Sequence, residues 1–185
     1  MFDNTLYIGL GTNLGDRAAN LHHAETLIDS HESIRCLRRS QTCVTKPWKV
    51  APGAKNFHNI VIEAETTLSP QECVRFFLEV ELTLGRRRIG VSTSRVIDID
   101  LLLYGESVLE LSEEGVVTPH PRIAERDFVL VPLAELAADV VLPGADATIA
   151  EIRDRCSMQT VIDNEVTFSK AVKRKSNENS ASNRC

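Results

Sequence analysis

Two aspartates, Asp98 and Asp100, stand two positions apart in the otherwise apolar segment 96–104. Successive side chains of a β-strand point to opposite faces, so both carboxylates would lie on one face, about 6.5 Å apart along the strand. Like charges side by side are unfavourable unless a cation lies between them. The spacing therefore predicts a site for one divalent cation, or for a pair about 3.5 to 4 Å apart. An amphipathic strand with two solvated acids is the alternative.

The same alternation assigns the apolar residues of this strand to its two faces. Leu102 and Tyr104 continue the face that carries the acids, and the other face carries Ile97, Ile99, Leu101 and Leu103. Apolar neighbours on the acid-bearing face argue against two merely solvated carboxylates.

A basic cluster, Arg86–Arg88 followed by Arg95, leads into the two aspartates. Arginines beside a carboxylate-bound Mg²⁺ suit a polyphosphate, because metal and guanidinium both neutralise the charge of its oxygens. Phosphoryl transfer is therefore the first hypothesis. The segment between the arginines is rich in Gly, Ser and Thr and has little to bury, so we expect 86–94 to form a mobile lid over a nucleotide.

Composition limits the classes of protein without naming one. A chain of 185 residues, 43% of them hydrophobic, suits one domain, which we place at 1–165 before a polar, disordered tail at 166–185. A net charge of −5 argues against a nucleic-acid partner. Five cysteines without C-x-x-C spacing indicate neither a disulfide framework nor zinc, hence a cytoplasmic location. No signal peptide or membrane helix is indicated, and no membrane partner is expected.

Hydrophobic periodicity and turn residues indicate the secondary structure. Ser69 can cap a helix that Pro70 opens and Gly85 ends. The other predicted elements are a strand at 6–10, a helix at 16–30, strand-like alternation at 33–46, a strand at 57–66, the Asp-x-Asp strand, a hairpin at 108–117, an apolar segment at 128–136 and a short helix at 148–155. This order predicts the α+β class: a ferredoxin-like antiparallel sheet flanked by helices in a single-domain sandwich.

Glycines between the first strand and helix raise one other hypothesis. The pattern Gly9-x-Gly11-x-x-x-Gly15 could belong to a dinucleotide-binding turn, but no βαβαβ repetition follows it. A P-loop is excluded, since no Gly-Lys-Ser/Thr ends the turn.

An ordered set of motifs extends over about residues 5–160. The motifs are Tyr7-Ile8-Gly9-Leu10-Gly11-Thr12-Asn13-Leu14-Gly15, Phe57-His58-Asn59, Leu68-Ser69-Pro70, Glu81-Leu82-x-x-Gly85-Arg86-x-Arg88, Arg95-x-x-Asp98-Ile99-Asp100-Leu101-Leu102, Pro119-His120-Pro121 and Arg126-x-Phe128-Val129-Leu130-x-Pro132-Leu133. In order and spacing this set resembles the 6-hydroxymethyl-7,8-dihydropterin pyrophosphokinases of folate biosynthesis.

The resemblance implies an enzyme that transfers pyrophosphate from ATP to the hydroxymethyl group of the pterin and releases AMP. Asp98 and Asp100 would bind two Mg²⁺ ions, and Arg86 and Arg95 would join them as catalytic residues that hold phosphates. The implied ATP-binding residues are Glu81, Arg86, Arg88, Arg95, His120 and Arg126. Dihydropteroate synthase would be a functional neighbour.

The resemblance also implies a pterin site. Phe57 and Phe128 would stack on the two faces of the ring, and Asn59 would hydrogen-bond its polar edge. The remaining implied pterin-binding residues are Gly11, Thr45 and Pro47.

Two other classes stay open at this point. A metal-dependent nucleotidyltransferase also uses Asp-x-Asp, although we find no third carboxylate for it. A non-catalytic sensor of nucleotide or pterin would fit if loop changes abolish turnover. Those changes are a missing tryptophan and Thr93-Ser94 in the loop before Arg95, Pro121 after the histidine, and Gly115.

Overall fold

The computed structural model describes residues 2–47, 53–86, 94–111, 115–157 and 160–163. Its elements are β1 (Asn4–Thr12), α1 (Arg17–Asp29), β2 (Ile34–Arg39), β3 (Cys43–Thr45), β4 (Phe57–Thr66), α2 (Pro70–Thr83), β5 (Asp98–Tyr104), β6 (Leu109–Leu111), β7 (Val116–Thr118), α3 (Asp127–Ala137), α4 (Ile149–Arg155) and β8 (Val161–Asp163). The tail predicted at 166–185, Arg88, and the predicted lid except Arg86 and Ser94 lie outside these residues.

A six-stranded antiparallel sheet forms the centre of the fold, in the order β5-β1-β4-β3-β8 with β2 also paired to β4. The long strands β1 and β4 pair from Asn4 and Thr66 to Thr12 and His58. Strands β6 and β7 form a separate two-stranded sheet, the predicted hairpin. The predicted α+β class, an antiparallel sheet flanked by helices, is confirmed.

Alternating residues of the central strands supply two cores, one on each face of the sheet. Ile60 and Ile62 of β4 pack in the core beneath α1 and α2. Val61, between them, packs on the other face with residues of α3 and α4. Helices therefore cover both faces, and any opening to a ligand must lie where this cover ends.

The side chains of the acid-bearing strand β5 alternate between the two faces of the sheet, as predicted, only as far as Leu102. Two successive residues of β1 pair with Leu101 and Leu103, which leaves Leu102 as an extra residue, a β-bulge. Leu103 consequently joins Leu102 in the core beneath α3, and Tyr104 joins the core on the α1/α2 face. The predicted faces of Leu103 and Tyr104 are wrong, because sequence alternation carries no sign of a bulge.

The predicted helix starts are confirmed by their capping bonds. The Asp16 carboxylate accepts from the Ala19 N–H at 3.0 Å at the start of α1. Ser69 and Glu72 form a reciprocal capping box, with Pro70 as the first residue of α2. These bonds fix the first turn of both helices on the sheet.

The predicted strand at 33–46 is two strands, β2 and β3, on the same side of β4. Between them, Ser40 bonds to Val61 of β4 through its N–H and its hydroxyl, each at 2.9 Å. The apolar segment 128–136 is helix α3, and strand β8 has no counterpart in the prediction. Within the described residues, no helix is both long enough and apolar enough to cross a bilayer.

Candidate active site

A cavity of about 390 Å³ opens on the α3 face of the sheet, over neighbouring residues of β4, β1 and β5. Gly9 and Gly11 of β1 lie in its floor, where Gly11 pairs with Asp98 on one side and Asn59 on the other. A Cβ atom on Gly11 would lie 3.0 Å from Asn59 Oδ1. Because Gly9 and Gly11 have no side chains, the cavity extends between β5, which carries the two acids, and the amide of Asn59.

Asp98 and Asp100 both line this cavity, as the alternation predicted. In the structure Asp98 is paired with two arginines. Arg86 Nη1 lies 2.6 Å from one carboxylate oxygen, and Arg95 donates to the other. The two arginines that the sequence proposed for phosphates therefore neutralise the first aspartate when the chain is alone.

Asp100 is less closely paired. Arg126 Nη1 lies 3.6 Å and His120 Nε2 4.0 Å from its Oδ2 atom. Loss of hydration, and then the nearby charge of Asp98, raise the pKa of Asp100 to about 6. A carboxylate held in this way gains from any cation that enters the cavity.

His120 is held as a neutral hydrogen-bond donor. Its backbone N–H donates to Leu102 O at 2.9 Å, and the backbone N–H of Arg122 donates to its Nδ1 atom at 3.1 Å. Burial, and then the charges of Arg126 and Arg122, lower the pKa of His120 to about 4. A neutral imidazole that accepts at Nδ1 carries its proton on Nε2, the atom nearest Asp100.

Glu81 is 2% exposed and is not among the residues that line the cavity. Its carboxylate accepts from the Ile99 N–H at 2.7 Å and from the guanidinium of Arg86. Burial is the main cause of its raised pKa. Glu81 thus joins the end of α2 to β5 and orients Arg86, so an effect on ATP would pass through that arginine.

On β4 and α3 the cavity has aromatic walls and an amide. Phe57 of β4 and Phe128 of α3 line it, and the guanidinium of Arg126 lies 5.5 Å from the centre of the Phe128 ring. Asn59 Nδ2 donates to Thr45 Oγ1 at 3.0 Å, so the orientation of the amide is fixed. Pro47 follows this wall two residues after Thr45.

Sequence reasoning assigned no function to Asn13, which is fully buried. Its Oδ1 accepts from the Arg95 N–H at 2.8 Å, its N–H donates to Arg95 O at 3.1 Å, and its Nδ2 donates to Ser94 Oγ at 3.3 Å. Asn13 therefore fixes the backbone at Arg95. In the sequence, only its place in the Gly-rich motif Tyr7–Gly15 indicated a role for Asn13.

Two further cationic side chains, Lys46 and Arg122, line the cavity and were also missed. With Arg86, Arg95 and Arg126 they give five cationic side chains around two carboxylates. A cavity of this charge suits a polyanion. The overall charge of −5 conceals this local excess.

The model of one protein family, 7,8-dihydro-6-hydroxymethylpterin-pyrophosphokinase (HPPK), matches residues 7–138. The chain belongs to the HPPK family. Its membership confirms the resemblance seen in the motifs, the enzyme class of ATP-dependent pyrophosphokinase, and pyrophosphate transfer to the hydroxymethylpterin in folate biosynthesis.

Two curated relatives carry the name of the same enzyme. This HPPK chain is 41% identical over 138 residues to the 2-amino-4-hydroxy-6-hydroxymethyldihydropteridine pyrophosphokinase of Methylorubrum extorquens, an alignment that covers 75% of this chain and 85% of that one. The protein of the same name in Bacillus subtilis is 36% identical over 149 residues, or 80% and 86% of the two chains.

The fold is also that of solved structures. The crystal structure of Plasmodium falciparum HPPK-DHPS with pteroate matches 82% of this chain with a TM-score of 0.65 and 12% identity. This HPPK chain spans only 44% of the Plasmodium chain. At that identity the likeness concerns the fold alone.

Proposed function

We propose that the HPPK reaction takes place in the 390 Å³ cavity, with the ATP phosphates at the Asp98–Asp100 end and the pterin between Phe57 and Phe128. The observation that carries this proposal is that a single cavity joins a carboxylate pair among arginines to an aromatic pair beside a fixed amide. The predicted catalytic, ATP-binding and pterin-binding residues, Arg88 apart, lie in or beside this one cavity.

The two carboxylates fit the expected Mg²⁺. Magnesium in phosphate-transfer sites binds one or two carboxylates and completes its coordination with water and substrate phosphates. The described residues contain no group of three or more His, Cys, Asp or Glu side chains placed to enclose a metal. The pair Asp98 and Asp100 leaves that coordination open to ATP, and binding of two ions there stays a prediction. Bound cations would neutralise phosphate charge and lower the pKa of the attacking hydroxyl.

Arg86 and Arg95 exchange partners in this proposal. Alone they neutralise Asp98. With a cation on that carboxylate, Arg86 and Arg95 would be free to donate to nearby phosphate oxygens, in the strong bidentate geometry of arginine–phosphate pairs. Glu81 and Asn13 keep the two arginines in place during the exchange.

Arg126 and His120 donate from the opposite side. Arg126 Nη1 lies 3.6 Å from Asp100 Oδ2, where it would donate to a ligand oxygen beside that carboxylate. The proton on Nε2 of His120 supplies a second donor that requires no change of charge near pH 7. His120 Nε2 lies 4.0 Å from the same Asp100 oxygen, so both groups would contact phosphates bound at that carboxylate.

The hydroxymethyl oxygen of the pterin attacks the β-phosphorus of ATP and gives up its proton to water. The new O–P bond forms as the bond from the β-phosphorus to the α-phosphate oxygen breaks, and AMP leaves. In phosphoryl transfer the protein contributes chiefly positioning and charge stabilisation. Stacking by the two phenylalanines and the Asn59 hydrogen bonds would hold the pterin hydroxyl toward the phosphates.

Substitution of Phe128 by Ala tests this placement. We expect calorimetry to show pterin binding weakened about ten-fold or more, because ring stacking and apolar contact are lost together, while binding of a non-hydrolysable ATP analogue changes little. Phe76→Ala removes a phenyl ring from the other face of the sheet and serves as the matched control. Equal weakening of both ligands by Phe128→Ala would place the pterin elsewhere.

Two further expectations remain proposals. The Plasmodium structure is named HPPK-DHPS, which supports dihydropteroate synthase as a functional neighbour, to be checked by adding that enzyme with p-aminobenzoate and following dihydropteroate formation. The cytoplasmic location expected from the cysteines would be tested by cell fractionation.

A further inference from the structure

One buried carboxylate outside the cavity, that of Asp127, carries no role in the proposed reaction. Asp127 is the first residue of α3 and is 3% exposed. Among the described residues, no Lys, Arg or His side chain forms an ion pair with it. A buried charge without a counter-ion is costly unless hydrogen bonds compensate it, so its partners indicate what it does.

Those partners are mainly Thr160 and Val161, which follow Asp127 by 33 and 34 residues. Asp127 Oδ2 accepts from the Thr160 N–H at 2.7 Å and the Val161 N–H at 3.3 Å, and Oδ1 accepts from the Thr160 hydroxyl. The fourth donor is the N–H of Phe128 at 2.8 Å. Three of the four bonds therefore hold the start of β8 against the first turn of α3.

Strand β8 in turn holds the wall of the cavity. It has three residues and pairs with β3, where Val161 lies opposite Thr45. The Lys46 N–H donates to Thr160 O at 2.8 Å. Thr45 and Lys46 line the cavity, and Thr45 orients the Asn59 amide. Because so short an edge strand has few bonds of its own, the Asp127 contacts decide where it lies.

The chain neighbours of Asp127 complete the connection. Arg126 and Phe128 line the cavity from α3. One carboxylate thus joins the aromatic wall on α3 to the polar wall on β3 through β8. A change in its bonds would alter the width of the cavity between the two walls assigned to the pterin, and Asp98 on β5 belongs to neither wall.

We infer that Asp127 is a positioning residue for pterin binding: through Thr160 and Val161 it sets the separation between the Phe128 wall and the Thr45–Asn59 wall. This inference rests on the proposed function, since it needs the pterin at that end of the cavity.

The test replaces Asp127 by Asn in the full chain. The amide keeps the size of the side chain but turns one oxygen into an NH2 group that faces an N–H or O–H donor. We expect the Kd and KM for 6-hydroxymethyl-7,8-dihydropterin to rise about ten-fold, since charge-assisted bonds are lost, while the Kd of a non-hydrolysable ATP analogue changes less than about two-fold. Asp16→Asn, an exposed carboxylate at the start of α1, is the matched control and should change neither.

A second variant serves if Asp127→Asn does not fold. Thr160→Val removes only the hydroxyl donor and keeps both backbone bonds, so we expect a rise of about two- to five-fold in the pterin Kd alone. The inference would be overturned if a folded variant bound the pterin as tightly as the unaltered chain does. It would also be overturned if the affinities for pterin and nucleotide fell by equal factors. If the unaltered chain binds no pterin, the proposed function fails and this inference with it; if it binds both ligands, only the inference is at stake.

Discussion

At the residue scale, Gly11 lies between the two groups that bound the cavity floor, Asn59 on β4 and Asp98 on β5. Gly11→Ala would place a methyl group 3.0 Å from Asn59 Oδ1, closer than van der Waals contact allows. The Asn59 amide must then shift by a few tenths of an ångström, which disturbs its bond to Thr45. We expect the pterin Kd, measured by calorimetry, to rise about ten-fold or more as its hydrogen-bond partner is displaced.

Gly9→Ala is the natural comparison, two residues away on the same strand. Its methyl would meet the buried Leu102 side chain at 3.2 Å, so this apolar contact in the core must shift by a few tenths of an ångström. Its main effect should be a small loss of stability. If both variants weaken pterin binding equally, the specific contact at Gly11 is not the cause.

Asp100 illustrates a conflict between stability and activity in one side chain. Its pKa in the folded chain is about 6, above the ordinary value of 3.8. A raised carboxylate pKa means that the folded state favours the protonated form, so stability is lost as pH rises from about 4 through 6. Asp100→Asn removes that charge. In the absence of divalent cations it should raise the Tm at pH 8 and leave it nearly unchanged at pH 4.

The expected gain is modest, because the side chain is 37% exposed and solvent screens it. Allowing for that, about 1 kcal/mol or less remains, or roughly 2–4 °C for a chain of this size. The same variant should lower kcat by about a hundred-fold or more, since metal-bound charge stabilisation contributes several kcal/mol. A lower Tm at pH 8, or near-normal turnover, would contradict the assigned role.

At the element scale, α2 stabilises the fold at its start and positions Arg86 at its end. Glu81 in its last turns accepts from Ile99 of β5 and from Arg86. Glu81→Gln keeps the size but removes the charge that orients the guanidinium. We expect steady-state kinetics to show the KM for ATP raised about ten-fold, with the pterin Kd unchanged.

Ser69→Ala provides the matched control at the other end of the same helix. It removes the capping hydroxyl, which should cost about 1 kcal/mol and lower the Tm by roughly 2–4 °C without altering the KM for ATP. If the two variants behave alike, Glu81 supports the helix rather than Arg86.

The elements differ in how well sequence could predict them. The helix at Ser69 was predictable because its cap, its proline and its periodicity agree. Strand β8 could not be predicted, because three residues are too few to show an alternation of apolar and polar side chains. Its position also depends on Asp127, 34 residues before its first residue. The bulge at Leu102 was equally hidden, since it arises from the pairing of β5 with β1 rather than from local sequence.

At the scale of the whole molecule, the site combines residues that lie far apart in sequence, from Gly9 to Val129. Asp98 and Asp100 could be placed on one face from spacing alone, and the resemblance proposed their neighbours. The contributions of Asn13, Lys46 and Arg122 could not be predicted in this way, because they depend on how distant segments meet. Net charge was a poor guide for the same reason: acids elsewhere balance the cationic cavity.

The most direct test of the central claim is the fate of the ATP phosphates when the full chain, Mg²⁺, ATP and 6-hydroxymethyl-7,8-dihydropterin are incubated together and followed by phosphorus NMR. We expect AMP and a pterin diphosphate in equal amounts, with the β- and γ-phosphorus atoms of ATP both on the pterin, and no product from Asp98→Ala. Formation of ADP with a pterin monophosphate, release of free pyrophosphate, or no turnover would contradict it.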